Sequence, residues 1–328
     1  MTYKILGDSC MDLTEELKQD PHFHMVPLTL QVDHAHIRDD ETFDQKRFLE
    51  LVKEAKDCPK TACPSPEDFK EQFDCEAECI FIVTLSAHLS GCYNSACLAK
   101  SLYEEEHGAE AKKIAVIDSL SASAGELNVA LCIRDLCEQG LEFDEVVRQA
   151  EEYRDQMGSY FVLENLDTLR KNGRLTGLQA FFATALNIKP VMAGDKGVIV
   201  KLEQARGMNK ALGRMTEIAL KQAGETKDRR LVIAHCNNRA RAEYVRDLIC
   251  SKAQFKDVVI TDTAGVATVY ANDGGIPAIQ EDRTGYCSLP SAFCFFFSLC
   301  MRENGSLEEK GKWKRKSLSD RKQKQRKI

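Results

Sequence analysis

Hydroxyl-bearing residues recur where short apolar runs give way to helix signals. Thr61-Ala62-Cys63-Pro64-Ser65-Pro66 precedes one helix-like segment. Leu85-Ser86-Ala87-His88-Leu89-Ser90-Gly91-Cys92-Tyr93-Asn94-Ser95-Ala96 leaves an apolar run and enters another, and Asp118-Ser119 closes the next run. In an open α/β sheet such positions fall at the carboxyl ends of strands, where ligands bind. Helix N-termini there offer unpaired N–H groups to anions. Uncharged donors in that setting suit a carboxylate or phosphate head group. Helix capping accounts for the same serines and threonines, and both readings stand at this level.

Other chemistries find less support. There is no G-x-G-x-x-G after a strand, no P-loop, no H-E-x-x-H and no EF-hand loop. His22-x-His24 and His34-x-His36 would each place two imidazoles on one face of a strand, but neither pair has an obvious third ligand nearby, so packed or solvated histidine is the expectation. Ser121-Ala122-Ser123-Ala124-Gly125 follows a strand and resembles a nucleophile elbow without its first glycine; a small-residue helix start accounts for it more simply. The rival to a binding protein is therefore a serine hydrolase using Ser90 or Ser123 with His88 or His235. An ordered Ser-Asp-His constellation is not evident for it.

The elements that must position these residues alternate between strand and helix. Tyr3–Gly7, Met25–Val32, Ile80–Leu85 and Lys113–Ile117 read as strands, the last two as short apolar runs buried on both faces. Thr42-Phe43-Asp44-Gln45 reads as a capping box with Thr42 at the N-cap. Ser65-Pro66-Glu67-Asp68 is a stronger helix start, with a cap serine, proline at the first position and acids in the first turn. A helix near Phe143–Met157 leads into a second region. It reads as strands Ser159–Leu163, Ile188–Met192, Val198–Leu202, Leu231–Ala234, Val258–Thr261 and Ala267–Tyr270, with helices Met208–Ala223 and Arg239–Ser251. Asp195-Lys196-Gly197 suits a hairpin turn. The fold class is α/β throughout: a mostly parallel sheet first, then a mixed sheet.

Composition narrows the function classes. The chain has 328 residues, 43% hydrophobic and 29% charged, enough for a sizeable core. No basic n-region precedes an apolar stretch at the start, and no window approaches the roughly 18 apolar residues of a membrane span, so a cytoplasmic protein is expected. The 14 cysteines include no Cys-x-x-Cys pair and are expected to be reduced, structural thiols. The net charge of −6 is unevenly spread. Lys310–Ile328 carries ten Lys or Arg against one acid, Asp320, which leaves 35 basic and 50 acidic residues elsewhere. The acidic body has no general claim on nucleic acid; only the basic end does.

Taken in order, these motifs resemble the DegV family, the fatty-acid-binding subunits of bacterial fatty acid kinases. The resemblance rests on Asp8-Ser9-x-x-Asp12-Leu13, Thr61-x-x-Pro64-Ser65, Leu89-Ser90-Gly91-x-Tyr93-x-Ser95-Ala96 and Asp118-Ser119. It continues through Leu169-x-x-x-Gly173-Arg174, Ile188-Lys189-Pro190 with Gly197 following, Ala205-Arg206 and Tyr270-Ala271-Asn272-Asp273-Gly274-Gly275, and so spans about residues 3–280. It implies an N-terminal α/β domain over 1–157 and a C-terminal α/β sandwich over 158–282, with a lipid tunnel between them. It also implies a non-catalytic carrier that holds a long-chain fatty acid, without a cofactor, and presents its carboxylate to a separate ATP-dependent kinase; a monomer is the default expectation. By motif, Thr61 and Ser90 would face the carboxylate with Ser95 in support, Tyr270 could add a hydroxyl, and Arg174 and Arg206 would sit where the kinase docks.

The physics agrees with that role. About sixteen methylenes carry on the order of 12 kcal/mol of gross transfer free energy at roughly 0.8 per CH₂, much of it offset by ordering. Hydroxyl donors hold the anion without a fixed counter-charge and leave it available for phosphoryl transfer. Phe181-Phe182-Ala183-Thr184-Ala185-Leu186 could line the tunnel, as could ordinary core residues.

Two departures stand out. Tyr270–Gly275 occupies the place of the family's frequent His-Thr-Gly-Pro-Gly segment, and Ser86-Ala87-His88 replaces its usual Ser-Ser-Gly. After Ile276 an apolar final strand is expected, yet Pro277 cannot donate to a sheet ladder. About fifty residues unlike the family follow, including the aromatic Phe293–Phe297 stretch and the basic end. The segment 283–328 reads as a disordered tail from a shifted frame, or else as an appendage for transient contact with anionic lipid or nucleic acid.

Overall fold

The computed structural model describes residues 1–175 and 187–282. The expected tunnel stretch Phe181–Leu186 and the segment 283–328 lie outside the described residues.

The first sheet follows from continuous apolar runs. Strands β1 (Tyr3–Asp8), β2 (Phe23–Val26), β6 (Cys79–Thr84) and β7 (Lys113–Asp118) pair in parallel in the order β2-β1-β6-β7. Every residue of β6 is buried, as a central parallel strand covered on both faces requires. A small antiparallel sheet stands apart, ordered β4-β3-β5, from β3 (Thr29–Val32), β4 (Ala35–Arg38) and β5 (Lys60–Ala62). The single strand expected over Met25–Val32 is thus two. Pro27 brings no N–H donor to a ladder, and Leu28 N donates to Ser9 Oγ at 3.0 Å, so the chain leaves one sheet and starts another.

Helices α1 (Gln45–Glu54), α2 (Pro66–Lys70), α3 (Cys92–His107), α4 (Ala124–Glu138) and α5 (Phe143–Gln156) surround this region. Ser65 and Asp68 form the expected capping box of α2. At α1 the N-cap is Asp44 rather than Thr42: Asp44 Oδ1 accepts from Arg47 N at 3.0 Å, while Thr42 Oγ1 donates to Asp40 at 2.6 Å. In this short Thr/Asp-rich stretch the carboxylate nearer the helix takes the cap.

The second sheet is mixed and six-stranded. It comprises β8 (Met157–Val162), β9 (Ile188–Asp195), β10 (Val198–Arg206), β11 (Arg230–His235), β12 (Asp257–Asp262) and β13 (Ile276–Asp282), ordered β10-β9-β8-β13-β11-β12. Only β11 and β12 run parallel; the other pairs are antiparallel. Helices α6 (Asp167–Lys171), α7 (Met208–Ala223), α8 (Arg239–Cys250) and α9 (Gly265–Ala271) complete the described fold. The β9–β10 hairpin turns at Lys196 and Gly197 with φ of 48° and 82°, the pair of positive values a two-residue hairpin favours.

Two expectations about the end of this region are corrected. Ala267–Tyr270 is helical, part of α9, although Val-Ala-Thr-Val-Tyr is rich in strand formers; tertiary contacts override that local preference. Pro277 does not end the sheet. β13 is a central strand, and its register against β8 shifts by one residue between Ile276 and Ile279, an interval that contains Pro277. A bulge of this kind spares the proline a ladder bond.

Helix α4 joins the two sheets. Residues Ala124 through Ile133 are all buried, and the core cluster they share with β1 and β6 includes Val232 and Ala234 of β11. A helix buried on all sides belongs inside a core, and this one carries Glu126 and Asn128 in with it. Among the described residues no helix is long and apolar enough to cross a membrane.

Candidate functional site

The site forms where the strand ends of the first sheet face the β9–β10 hairpin and α9. The chain leaving β6 is pinned at its start: Asp8 accepts from Leu85 N at 2.8 Å and from Cys10 N at 3.0 Å. Ser86 Oγ donates to Gly197 O at 2.9 Å and ties the same loop to the hairpin turn. A Cβ at Gly197 would fall 2.5 Å from that oxygen, so glycine there allows the approach as well as the positive φ. Asp118 accepts from Leu120 N at 2.9 Å and Ala87 N at 3.2 Å, and Ser119 Oγ accepts from Ser121 N. At Ser65, Ser86 and Ser119, therefore, the hydroxyl-rich motifs organise turns and helix starts.

Thr61 and Ser90 behave differently. Both line one cavity of about 110 Å³ with an open mouth. Its walls are mostly apolar, with Leu28, Leu85, Leu89, Phe161, Leu163 and Ile199 among them. Thr61 Oγ1 lies 3.0 Å from Tyr270 Oη, joining β5 to α9 across 209 residues. Arg174, just beyond α6, lines the same cavity; its guanidinium carbon stands 5.8 Å from the Tyr270 ring centroid, and its Nε donates to Leu89 O at 3.1 Å, next to Ser90. Ser90 Oγ is 3.2 Å from Cys92 Sγ at the start of α3. Burial pushes the Cys92 thiol far up, so it serves as a neutral neighbour.

Thr61, Ser90, Tyr270 and Arg174 thus share one cavity. Ser95 is half-buried on α3 and Arg206 is exposed at the end of β10; neither is among the cavity-lining residues. His88 is an exposed loop residue.

Sequence reasoning missed a second polar group beneath this cavity. Asp12, Asp39 and Glu126 are buried, as is Asp8. Burial raises Asp8 to about 7, Asp12 to about 8 and Asp39 to about 6, and lifts Glu126 well above the usual carboxylate range, with neighbouring acids adding to the effect. Asp12 appeared in the Asp-Ser-x-x-Asp motif without a role; no local pattern marks Asp39 or Glu126. One ligand atom each from Asp8, Cys10 and Glu126 lies within 4.8 Å of the others. Both Asp8 oxygens already accept backbone N–H groups, and burial raises all three groups toward their neutral forms.

The serines weighed for catalysis are held in other ways. Ser123 stands at φ 57°, ψ −124° ahead of α4 and its Oγ donates to Asp12. His235 Nδ1 lies 3.2 Å from Asp262 instead. Among the described hydrogen bonds neither Ser90 nor Ser123 engages a histidine.

Comparison with known proteins bears on the same geometry. Residues 2–280 match the family described as "Uncharacterised protein, DegV family". A DegV domain-containing protein of Streptococcus gordonii is 37% identical over 280 residues, covering 84% of this chain and 98% of its own. Among solved structures, a DegV family protein of Ruminococcus gnavus refined with vaccenic acid superposes with a TM-score of 0.81 at 47% identity, covering 86% of this chain and 99% of its own. The fatty acid kinase B3 protein of Streptococcus pneumoniae, loaded with linoleic acid, gives 0.78 at 35% identity with the same coverage. With the motifs in order, the two sheets in place and the match running nearly end to end over the described fold, the chain belongs to the DegV family.

Proposed function

We propose that this protein holds one long-chain fatty acid in the cavity, its carboxylate met by Thr61, Ser90 and Tyr270 beside Arg174. One observation carries the reading: a mostly apolar cavity where uncharged hydroxyls and a single guanidinium converge. The apolar walls supply the transfer free energy of the chain. The hydroxyls meet the requirement that a buried carboxylate be hydrogen-bonded. Relatives solved with vaccenic and linoleic acid support the ligand class.

In this reading the protein is a non-catalytic carrier, and a separate ATP-dependent kinase phosphorylates the presented carboxylate. The relation to a fatty acid kinase B protein supports such a partner. Arg206, exposed at the end of β10, and Arg174 at the cavity are the proposed docking residues, with Ser95 bracing α3 behind Ser90. The 1–157 and 158–282 division remains our proposed domain boundary, with the cavity between the two parts. A monomer in the cytoplasm, needing no cofactor and touching the membrane only transiently, fits this role.

The test is mass spectrometry of an organic extract of freshly purified protein beside a Thr61→Ala, Ser90→Ala double variant. About one fatty acid per chain is expected in the wild type, with depletion in the variant. A wild type that is empty and takes up no added fatty acid overturns the proposal.

A further inference from the structure

Tyr270 reaches Thr61 from α9, a helix that no sheet ladder holds. The first turn of any helix presents N–H groups without intrahelical partners. Here three consecutive ones are taken by two carboxylates from the first forty residues. Ala264 N donates to Asp12 Oδ1 at 2.7 Å, Gly265 N to Asp39 Oδ1 at 2.6 Å and Val266 N to Asp39 Oδ2 at 2.8 Å. Asp12 is 1% exposed and Asp39 4%. Asp12 is fixed in turn by Ser123 Oγ, and its main-chain oxygen accepts from Thr261 Oγ1 at 2.8 Å. The approach is close: a Cβ on Gly265 would lie 2.5 Å from Asp39 Oδ1.

We propose that Asp39, backed by Asp12, is a positioning residue for the head-group site, holding α9 so that Tyr270 Oη stays within reach of Thr61 Oγ1. The inference rests on the fatty-acid reading above. A single acceptor would let the helix pivot about one bond. A carboxylate spanning two adjacent N–H groups fixes rotation as well as depth, as two-point contacts do elsewhere. Tyr270 lies four residues beyond Val266, about 6 Å along the axis at 1.5 Å per residue, so a small swing at the first turn displaces its hydroxyl. The same helix contributes Val266, Ala267 and Ala271 to the cavity wall. An asparagine at 39 would keep one acceptor and turn an NH₂ donor toward an N–H donor.

The experiment compares Asp39→Asn, Tyr270→Phe and the double variant, each binding a long-chain fatty acid and the primary alcohol of equal length. Asp39→Asn is expected to weaken the acid about tenfold and the alcohol less than about threefold, the scale of one hydrogen bond to a charged group. The double variant should bind the acid no worse than the weaker single variant, because both changes remove the same contact. Losses that multiply in the double variant, or that fall equally on acid and alcohol, overturn the proposal. Hydrogen exchange of residues 264–271 in ligand-free protein separates this idea from the fatty-acid reading. Faster exchange there in Asp39→Asn upholds the clamp even if the wild type takes up no fatty acid, and that outcome sinks only the function. Unchanged exchange in a variant whose wild type does bind sinks the clamp. Should Asp39→Asn fail to fold, Gly265→Ala displaces the same carboxylate and is expected to give the same acid-selective loss.

Discussion

Two polar clusters lie close together in this molecule and solve opposite problems. At the cavity, Thr61, Ser90 and Tyr270 present hydroxyls with one guanidinium beside them, and few of their bonding positions are spent on the backbone. Beneath it, Asp8, Asp12 and Asp39 spend their oxygens on main-chain N–H groups of loops and of α9 and, at Asp12, on the Ser123 hydroxyl as well. The first cluster holds no carboxylate of its own. The second is closed, and burial drives its acids toward their neutral forms. In the function proposed above, recognition and scaffolding are divided between hydroxyls and carboxyls.

The sharpest way to break this division is to remove one scaffold acid. Asp12→Ala leaves Ala264 N and Ser123 Oγ without their acceptor, and should cost about 3 kcal/mol of stability. Urea unfolding measures it; a loss below about 1 kcal/mol would mean the carboxyl does little structurally. The hydroxyl cluster should behave in the converse way. Thr61→Ala with Ser90→Ala should weaken fatty acid binding about a hundredfold by removing two bonds to a charged group, with stability changed by less than about 1 kcal/mol. Equal damage to folding and binding would erase the distinction.

Glu126 offers a finer probe, since both its oxygens are buried without a hydrogen-bond partner. Its folded-state pKa is raised, as are those of Asp8, Asp12 and Asp39, so above the unfolded value near 4 the folded state holds more protons than the unfolded one. Stability from these groups is therefore fullest at low pH. It declines as pH rises above about 4, through about 6 for Asp39, 7 for Asp8 and 8 for Asp12, and for Glu126 until its own raised value is passed. Glu126→Gln removes one such proton, and its stability advantage over wild type should grow by up to about 1.4 kcal/mol per pH unit across that window. Denaturation midpoints at acid, neutral and mildly alkaline pH would reveal it, and an advantage independent of pH would refute the assignment. The smallest expected signal is none at all: a serine-directed fluorophosphonate should leave Ser90 and Ser123 unlabelled, whereas stoichiometric labelling would reinstate the hydrolase.

How far the sequence discloses this arrangement depends on the range of the interaction that decides it. Helix α7, the capping box at Ser65 and the Lys196-Gly197 turn are settled by neighbours a few residues away, and their patterns read correctly. The break at Pro27, the helical state of Ala267–Tyr270 and the central place of β13 are decided from afar. Ser9 captures Leu28 N, Asp39 caps α9 across 226 residues, and β8 and β11 flank β13. The candidate site divides in the same way. Thr61, Ser90, Arg174 and Tyr270 stand in separate motifs, and only the topology brings them to one cavity. No spacing rule marks Asp39, because its partners lie at the other end of the chain.

The central position of β13 has a consequence for synthesis. Strands β8 and β11 both pair with it, yet it is made after either of them. Until residues 276–282 have left the ribosome, the six-stranded sheet exists as two halves with exposed inner edges, which are prone to stray pairing. A nascent chain cannot complete this fold before those residues emerge. Helix α9, which carries Tyr270, precedes β13 by only a few residues, so the wall and the seam of the sheet emerge together. The vessel is sealed in one late step, and a pause in translation shortly before residue 276 is where misassembly would concentrate.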